Sequence, residues 1–209
     1  MIPPLYAILS ADIFPGSLQD WGRRLAESGV QLIQYRDKHS SSAKLLETAR
    51  RLVSLSHSLQ FRLIINDRAD IAVLSGAGGV HVGQDDLPVE AARKICGPAA
   101  CVGISTHNLD QLRAAIATSA DYIAIGPIFP TATKQNPDPV VGLDFIRQAR
   151  ALTAKPLVAI GGITAERAPD VYTAGADSVA VAADLATAPD LPSRISSYLR
   201  ASASAPPRR

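Results

Sequence analysis

Acidic and amide side chains follow two apolar segments of the chain, at the points where the apolar runs stop. Asn66 and Asp67 follow a run of three aliphatic residues, and Asp86 follows a second apolar run that begins at Gly79. Parallel strands would deliver these side chains to the carboxyl-terminal edge of a sheet, where α/β proteins place their chemistry. Mg²⁺ prefers one or two carboxylates together with substrate phosphates and waters. The spacing therefore predicts a Mg²⁺ site at Asp67 and Asp86; the alternative is that Asp67 caps the next helix and Asp86 belongs to a solvated turn.

Three polar side chains alternate along the end of another apolar segment, namely Gln34, Arg36 and Lys38. In a strand they share one face, whereas Tyr35 and Asp37 point to the other. Two cations and an amide on an apolar strand are unfavourable unless an anion meets them. We interpret the three side chains as ligands of a phosphate or diphosphate; an ion pair with Asp67 or Asp86 is the alternative.

Two further segments have the composition of phosphate-binding loops. The polar, proline-bounded loop after the sixth predicted strand carries Thr131, Thr133 and Lys134, and such a loop can close over a ligand. The seventh predicted strand ends in two glycines, the second of which is Gly162, and a helix is predicted to begin at Thr164. Glycines let a ligand approach the backbone, and free amides at a helix start bind phosphate. An ordinary surface loop and a purely structural turn are the alternatives.

The histidines and cysteines do not have the spacing of zinc ligands or of a nucleophilic triad. His39 and His57 are predicted at the surface and His81 within a strand. His107 lies at the predicted mouth of the fold, where it either contacts a substrate or caps a helix. The two cysteines are interpreted as free thiols in a reducing cytosol.

The composition favours one aliphatic α/β domain. The 209 residues are 47% hydrophobic but only 5% aromatic, as in a parallel sheet that is buried on both faces. The net charge of +2, without a block of like charge, argues against a nucleic-acid partner. Because we find no signal-like segment and no apolar run of membrane length, we expect a cytoplasmic protein without a membrane partner.

Eight strand-like runs alternate with helical patterns. The strands are predicted at 5–10, 32–38, 63–67, 79–83, 101–105, 122–128, 157–163 and 178–183. The helices are predicted at 18–28, 42–59, 69–75, from 88, at 108–119, 142–152, from 164 and at 191–200. Tandem βα units without a linker predict a single (β/α)₈ barrel, a TIM barrel, over residues 1–200, with a frayed tail at 201–209. An open doubly wound sheet is the alternative, since periodicity does not reveal closure.

Six motifs, in order along the chain, closely resemble the thiamine-phosphate synthase family. They read QYRDK at 34–38, INDR at 65–68, GVHVGQDDLP at 79–88, GISTH at 103–107, GPIFPTATK at 126–134 and IGGI at 160–163. The resemblance implies a (β/α)₈-barrel transferase. Such an enzyme couples hydroxymethylpyrimidine diphosphate to a thiazole phosphate, with Mg²⁺, and releases thiamine phosphate and pyrophosphate.

The resemblance also implies roles for the matched residues. The pyrimidine diphosphate would be held by Gln34, Tyr35, Arg36, Asp37, Lys38, Asn66, Ser105 and Lys134, of which Arg36, Lys38, Ser105 and Lys134 are the catalytic candidates. The thiazole phosphate would be held by Thr131, Ala132, Thr133, Gly162, Ala182 and Ala183. Asp67 and Asp86 would bind Mg²⁺. The family often has a serine at the position of Ala183, so we expect weaker thiazole-phosphate binding without loss of activity.

The expected chemistry agrees with the residues present. Pyrophosphate can leave the methylene of an electron-rich aminopyrimidine through a stabilised carbocation, so no protein nucleophile is required. Mg²⁺ and the cations Arg36, Lys38 and Lys134 would neutralise the charge that builds on the leaving group. A thiazole tautomerase-like relative of the same fold and a non-catalytic phosphate-ligand sensor are the alternatives, and a homodimer stays open.

Overall fold

Eight parallel strands close into a barrel in the order of the sequence, with β1 paired to β8. The structure, a computed structural model, describes residues 2–131 and 138–205. The strands are β1 (Leu5–Ser10), β2 (Leu32–Arg36), β3 (Arg62–Asn66), β4 (Gly79–Val82), β5 (Cys101–Thr106), β6 (Tyr122–Ile125), β7 (Leu157–Ile160) and β8 (Ser178–Val181). Closure confirms the predicted (β/α)₈ barrel and rules out the open sheet.

Helices surround the barrel and connect successive strands. In the described part of the chain they are α1 (Leu18–Glu27), α2 (Ser42–Leu59), α3 (Ala69–Ser75), α4 (Val89–Cys96), α5 (Leu109–Ile116), α6 (Gly142–Leu152), α7 (Ala168–Thr173), α8 (Ala183–Ala186) and α9 (Leu191–Ala203). Side-chain caps define several starts: the Ser17 hydroxyl accepts a hydrogen bond from the Asp20 amide, and Ser41 does the same for Lys44. Within residues 2–131 and 138–205, no helix combines the length and hydrophobicity needed to cross a membrane.

The predicted strands begin where the observed ones do, apart from β3, which starts one residue earlier. Several predicted ends run too far, however, because the apolar pattern continues beyond the hydrogen-bonded ladder. Ile128 and Ile163 are both buried, at 1% and 4% exposure, yet they lie in the loops that follow β6 and β7. Hydrophobic residues in this part of the chain indicate burial, but a buried residue need not belong to a paired strand, so the predicted strands extend too far.

Several helical boundaries differ from the prediction, and the structure contains one additional helix. Helix α7 begins at Ala168 instead of Thr164, with a proline in its first turn, a position that favours a helix start. The short helix α8 directly after β8 was not predicted. Helix α9 extends to Ala203, so the predicted tail boundary at residue 201 lies inside this helix; residues 206–209 lie outside the described part.

Alternation along the strands separates two layers of the core. Odd-numbered residues of β1, such as Leu9, pack against the helices in the larger layer. Tyr6 and Ile8 point into the barrel, where they pack with Tyr122 of β6 and with small or aliphatic residues of the other strands. The rings of Tyr6 and Tyr122 make an edge-on contact with centroids 5.9 Å apart. The barrel interior is therefore filled, and ligands have access only from its ends.

Candidate active site

The predicted cations of β2 lie at the carboxyl-terminal rim, which we define as the strand ends and the loops that follow them. Arg36 Nη1 lies 3.0 Å from Asp12 Oδ2, in the loop after β1, and 3.3 Å from Ser10 Oγ. Lys38 Nζ forms an ion pair with Asp67 Oδ2. The predicted alternative of an ion pair to Asp67 is therefore confirmed for Lys38, whereas the partner of Arg36 is a residue that the sequence did not single out.

Tyr35 and Asp37 face away from this rim pocket, as the alternation predicts. Tyr35 is buried among the side chains between barrel and helices, and its hydroxyl lies 3.3 Å from Asp37 Oδ2. The other oxygen of Asp37 accepts hydrogen bonds from the amides of His39 and Ser40, at 3.0 Å each. These two side chains shape the loop after β2. Their role in binding the pyrimidine diphosphate, which the family resemblance implies, stays a prediction.

The two predicted metal carboxylates meet at the same rim. Asp67 directly follows β3 in a left-handed conformation, with φ of +62°, which is uncommon for a residue with a side chain. Asp86 Oδ2 accepts a hydrogen bond of 2.7 Å from the amide of Gly83. Burial raises the pKa of Asp86, and the adjacent Asp67 carboxylate adds to this rise. Neighbouring carboxylates that repel each other in this way suit a shared cation.

The alternative role of Asp67 as a helix cap is wrong. Helix α3 begins at Ala69 after Arg68, and no side chain caps it. Across residues 2–131 and 138–205 no cluster of three or more His, Cys, Asp and Glu side chains is arranged for a metal. The two carboxylates, with Asn66 next to Asp67 in the chain, still fit Mg²⁺, which usually takes its remaining ligands from water and substrate phosphates.

A continuous chain of hydrogen bonds crosses the barrel interior below the rim. Gln34 Nε2 donates to the Tyr6 hydroxyl at 2.8 Å, and that hydroxyl lies 3.0 Å from the hydroxyl of Tyr122. His81 continues the chain, with Nδ1 2.9 Å from the Tyr122 hydroxyl and Nε2 2.8 Å from Ser105 Oγ. Burial lowers the pKa of His81 to about 4, so its imidazole is neutral at pH 7.

Sequence reasoning placed Gln34 and Ser105 in the site but missed the residues that connect them. Tyr6, His81 and Tyr122 lie inside apolar strands, where an isolated polar side chain attracts little notice. The alternation of side chains along a strand could have indicated them, because Tyr6, His81 and Tyr122 each occupy an inward-facing position of their strand, as Gln34 does on β2.

His107 braces two rim loops. Its Nδ1 lies 2.6 Å from the carbonyl oxygen of Gly126, and its Nε2 lies 3.6 Å from Asp138 Oδ2. The cap of α5 is Asn108, whose side chain accepts a hydrogen bond of 2.9 Å from the Gln111 amide. Of the two predicted roles for His107, capping is therefore wrong, and its position at the mouth is confirmed.

The loop after β6 packs directly on the glycine turn after β7. The amide of Phe129 donates to the carbonyl of Gly161 at 3.0 Å. Gly161 and Gly162 have φ of +99° and +61°, and a Cβ atom on Gly162 would overlap the carbonyl oxygen of Pro130. Glycine is required there by both backbone conformation and space.

The predicted thiazole-phosphate residues are only partly visible. Thr131 lies at the edge of the loop after β6, whereas the predicted ligands Ala132, Thr133 and Lys134 lie outside the described residues. The expected helix start next to Gly162 is wrong, because α7 begins six residues later. Ala182 and Ala183 instead connect β8 to α8 at once. The available backbone amides at this side therefore belong to the glycine turn after β7 and to the start of the short helix α8.

This arrangement defines a class of protein, a (β/α)₈ barrel with neighbouring carboxylates and cations at its carboxyl-terminal rim. Carboxylates and cations follow β2, β3 and β4, and glycine- and alanine-rich turns follow β7 and β8. Barrel enzymes often build phosphate sites from the loops after strands seven and eight. The chain belongs to the thiamine monophosphate synthase family, whose sequence model matches residues 5–185.

The proteins to which this chain is similar are named thiamine-phosphate synthases, and the similarity extends over nearly their full length. The chain is 52% identical over 193 residues to a thiamine-phosphate synthase of Koribacter versatilis, covering 90% of this chain and 91% of that protein. It is 40% identical over 188 residues to one of Shouchella clausii, covering 90% of each. Among solved structures, thiamine phosphate pyrophosphorylase of Pyrococcus furiosus superposes with a TM-score of 0.83 at 30% identity, covering 94% of this chain and 93% of that one.

Proposed function

We propose that the protein is a thiamine-phosphate synthase, a transferase that joins a pyrimidine diphosphate to a thiazole phosphate and releases pyrophosphate. The observation that carries the proposal is the meeting of Asp67, Asp86 and Lys38 at one rim of a barrel whose sequence belongs to this family. A diphosphate leaving group needs both a divalent cation and fixed positive charge, and this rim offers ligands for the first and a source of the second.

The diphosphate end of the pyrimidine substrate would lie against Arg36 and Lys38. Asp12 holds Arg36 Nη1 at 3.0 Å, and Asp67 holds Lys38 Nζ, so both cations are oriented before the substrate arrives. When bound at Asp67 and Asp86, Mg²⁺ would supply further neutralisation of the diphosphate oxygens. Positive charge that is already in place stabilises the leaving group as it departs, without reorganisation at that moment.

The pyrimidine ring would lie above the buried hydrogen-bond chain. Gln34 and Ser105 end this chain, and both are predicted to hold the pyrimidine diphosphate. Because His81 is neutral, it can hold Ser105 Oγ in one orientation without adding a positive charge beside the developing carbocation. The chain of His81 and the tyrosines thus orients the ring and leaves the cation stable enough to be captured. No nucleophilic side chain takes part.

The thiazole phosphate would be held on the opposite side of the rim. The glycine turn at Gly162 lies against Pro130, which directly precedes Thr131, the start of the predicted phosphate grip. Ala182 and Ala183 follow β8, the strand paired to β7. Anchoring the phosphate there directs the ring nitrogen of the thiazole toward the pyrimidine methylene. Positioning of this kind is the remaining contribution to the rate, because the capture step requires only alignment of the two rings.

Incubation with both substrates and Mg²⁺, assayed for thiamine phosphate and pyrophosphate, tests the proposal. A tautomerase-like relative would have no use for the paired carboxylates beside Arg36 and Lys38. A phosphate-ligand sensor would bind the thiazole phosphate but release no pyrophosphate. Absence of both products, with intact binding of either substrate, would contradict the proposed function.

The metal assignment has its own test. Asp67→Asn and Asp86→Asn should each lower Mg²⁺-dependent turnover by about 10² to 10³, the range for loss of a preorganised charge interaction. Asp110→Asn is the matched control, because Asp110 is 94% exposed on α5 and pairs with the exposed Arg113 at 3.4 Å. Full activity of both site variants across a Mg²⁺ titration would contradict the assignment.

A further inference from the structure

One arginine connects the two rim segments proposed to hold the thiazole phosphate. Arg167 immediately precedes α7, and its Nη1 donates a hydrogen bond of 2.7 Å to the carbonyl oxygen of Gly162. Its Cζ also lies 4.8 Å from the centroid of the Phe129 ring, in the loop after β6. The same guanidinium therefore contacts the glycine turn through a hydrogen bond and the neighbouring loop through a cation–π interaction.

The hydrogen bond acts on the most freely rotating backbone of the site. Gly161 and Gly162 both have positive φ, and glycine has the widest choice of backbone conformations. Because a peptide unit is planar and trans, holding the carbonyl of Gly162 also sets the direction of the N–H of Ile163, which points the opposite way. Arg167 thus restrains a peptide that would otherwise have to be ordered when the phosphate binds.

Within residues 2–131 and 138–205, no carboxylate neutralises the charge of Arg167. In the described part of the chain no carboxylate lies within 4.0 Å of its guanidinium, whereas its neighbour Glu166 pairs with Arg194 at 2.7 Å. The side chain of Arg167 does not cap α7 either, so helix capping does not explain its placement. A cation held beside a phosphate pocket, with a carbonyl and an aromatic face as partners, strengthens binding of an anion.

We propose that Arg167 is a positioning residue for the thiazole phosphate. It orders the Gly161–Gly162 turn, ties that turn to the loop carrying Phe129, and adds positive potential at the pocket. The proposal rests on the proposed function, because it assigns the residue to one of the two substrates of that reaction. Within residues 2–131 and 138–205, Arg167 has no hydrogen bond or ion pair with a predicted diphosphate residue, so its effect should be confined to the thiazole phosphate.

Substrate-specific kinetics test this assignment. In Arg167→Ala the KM for the thiazole phosphate should rise about tenfold, as expected for one lost hydrogen bond and one lost cation–π contact. The KM for the pyrimidine diphosphate should not change, and the melting temperature should fall by only a few degrees, because the two lost contacts also stabilise the free protein. Arg167→Lys should recover part of the affinity, because it keeps the charge but not the planar donor group, and Arg167→Gln should recover less.

Arg23→Ala is the matched control, since Arg23 is an exposed arginine on α1 with only a 3.9 Å ion pair to Glu27. Equal increases in both KM values would indicate a general structural role and overturn the proposal. An unchanged KM for the thiazole phosphate would overturn it as well, while product formation by the unaltered enzyme would leave the proposed function standing.

Discussion

Titration of one buried histidine should govern part of the acid sensitivity of this barrel. His81 is 7% exposed, and burial lowers its pKa from 6.5 to about 4. Between these two values the unfolded chain binds a proton that the folded protein excludes, so folding becomes less favourable as the pH falls. The difference between these two pKa values of His81, at about 1.4 kcal/mol per pH unit, corresponds to about 3 kcal/mol of unfolding free energy.

The sign of the effect follows from the direction of the shift. Above pH 6.5 the contribution is fully present because both states are neutral at this residue; it is lost progressively down to pH 4, and below pH 4 the loss is complete. His81→Gln removes the titration and leaves an amide that can donate to one neighbour and accept from the other. The unfolding free energy of the unaltered protein, relative to that of the variant, should therefore fall by about 3 kcal/mol between pH 7 and pH 4.

Urea unfolding at a series of pH values measures this difference. His57→Gln, an exposed substitution on α2, provides the control, and its stability should parallel that of the unaltered protein at every pH. If the difference between the unaltered protein and His81→Gln stayed constant from pH 7 to pH 4, His81 would not be a buried neutral group. The hydrogen-bond chain through Tyr122 and Ser105 would then have to be reconsidered.

Three further substitutions test the turns on the thiazole side. Gly162→Ala should abolish thiazole-phosphate binding in calorimetry and destabilise the fold by about 1 to 3 kcal/mol, because the new Cβ atom would overlap the loop after β6. Gly16→Ala is the control: Gly16 also has a positive φ, +76°, but open space around it, so this change should leave binding intact. Equal effects of the two changes on binding would refute the steric argument. Ala183→Ser should tighten thiazole-phosphate binding several-fold and leave diphosphate affinity unchanged. The gain is at most the roughly 1.5 to 3 kcal/mol of a hydrogen bond to a charged group. If calorimetry shows unaltered thiazole-phosphate affinity, residue 183 does not face the phosphate. Tyr198→Phe removes a hydroxyl that donates to Asp184 Oδ2 at 2.6 Å. Chemical denaturation should therefore show a free energy of unfolding lower by about 1 to 3 kcal/mol. An unchanged midpoint would show that the hydroxyl is not buried.

The positions of the strands follow closely from hydrophobic pattern. Buried parallel strands need continuous aliphatic residues, so runs such as those at β3 and β7 mark the ladder even without an alignment. Strand and helix ends were less predictable. The apolar residues Ile128 and Ile163 continue the pattern past the ladder because they pack beneath the rim loops, and the two glycines after β7 lead into a turn where a helix start was expected.

The sequence predicted the charged residues of the candidate site but not the residues that orient them. Asp67, Asp86 and Lys38 are recognisable because charged groups at the end of an apolar run are unfavourable without a partner. The role of Asp12 as the partner of Arg36 has no local signal, since an aspartate in a loop after a strand is common. The same holds for Arg167, whose contacts to Gly162 and Phe129 depend on how two loops meet.

Local spacing was sufficient to assign the faces of the strands, because side chains alternate with a period of two whatever the rest of the chain does. Which inward-facing groups meet inside the barrel depends on its closure. Tyr6 and Tyr122 are 116 residues apart in the chain, yet their hydroxyls lie 3.0 Å from each other and link Gln34 to His81. Closure and register bring these groups across a common interior, and the exclusion of water there is what keeps His81 neutral.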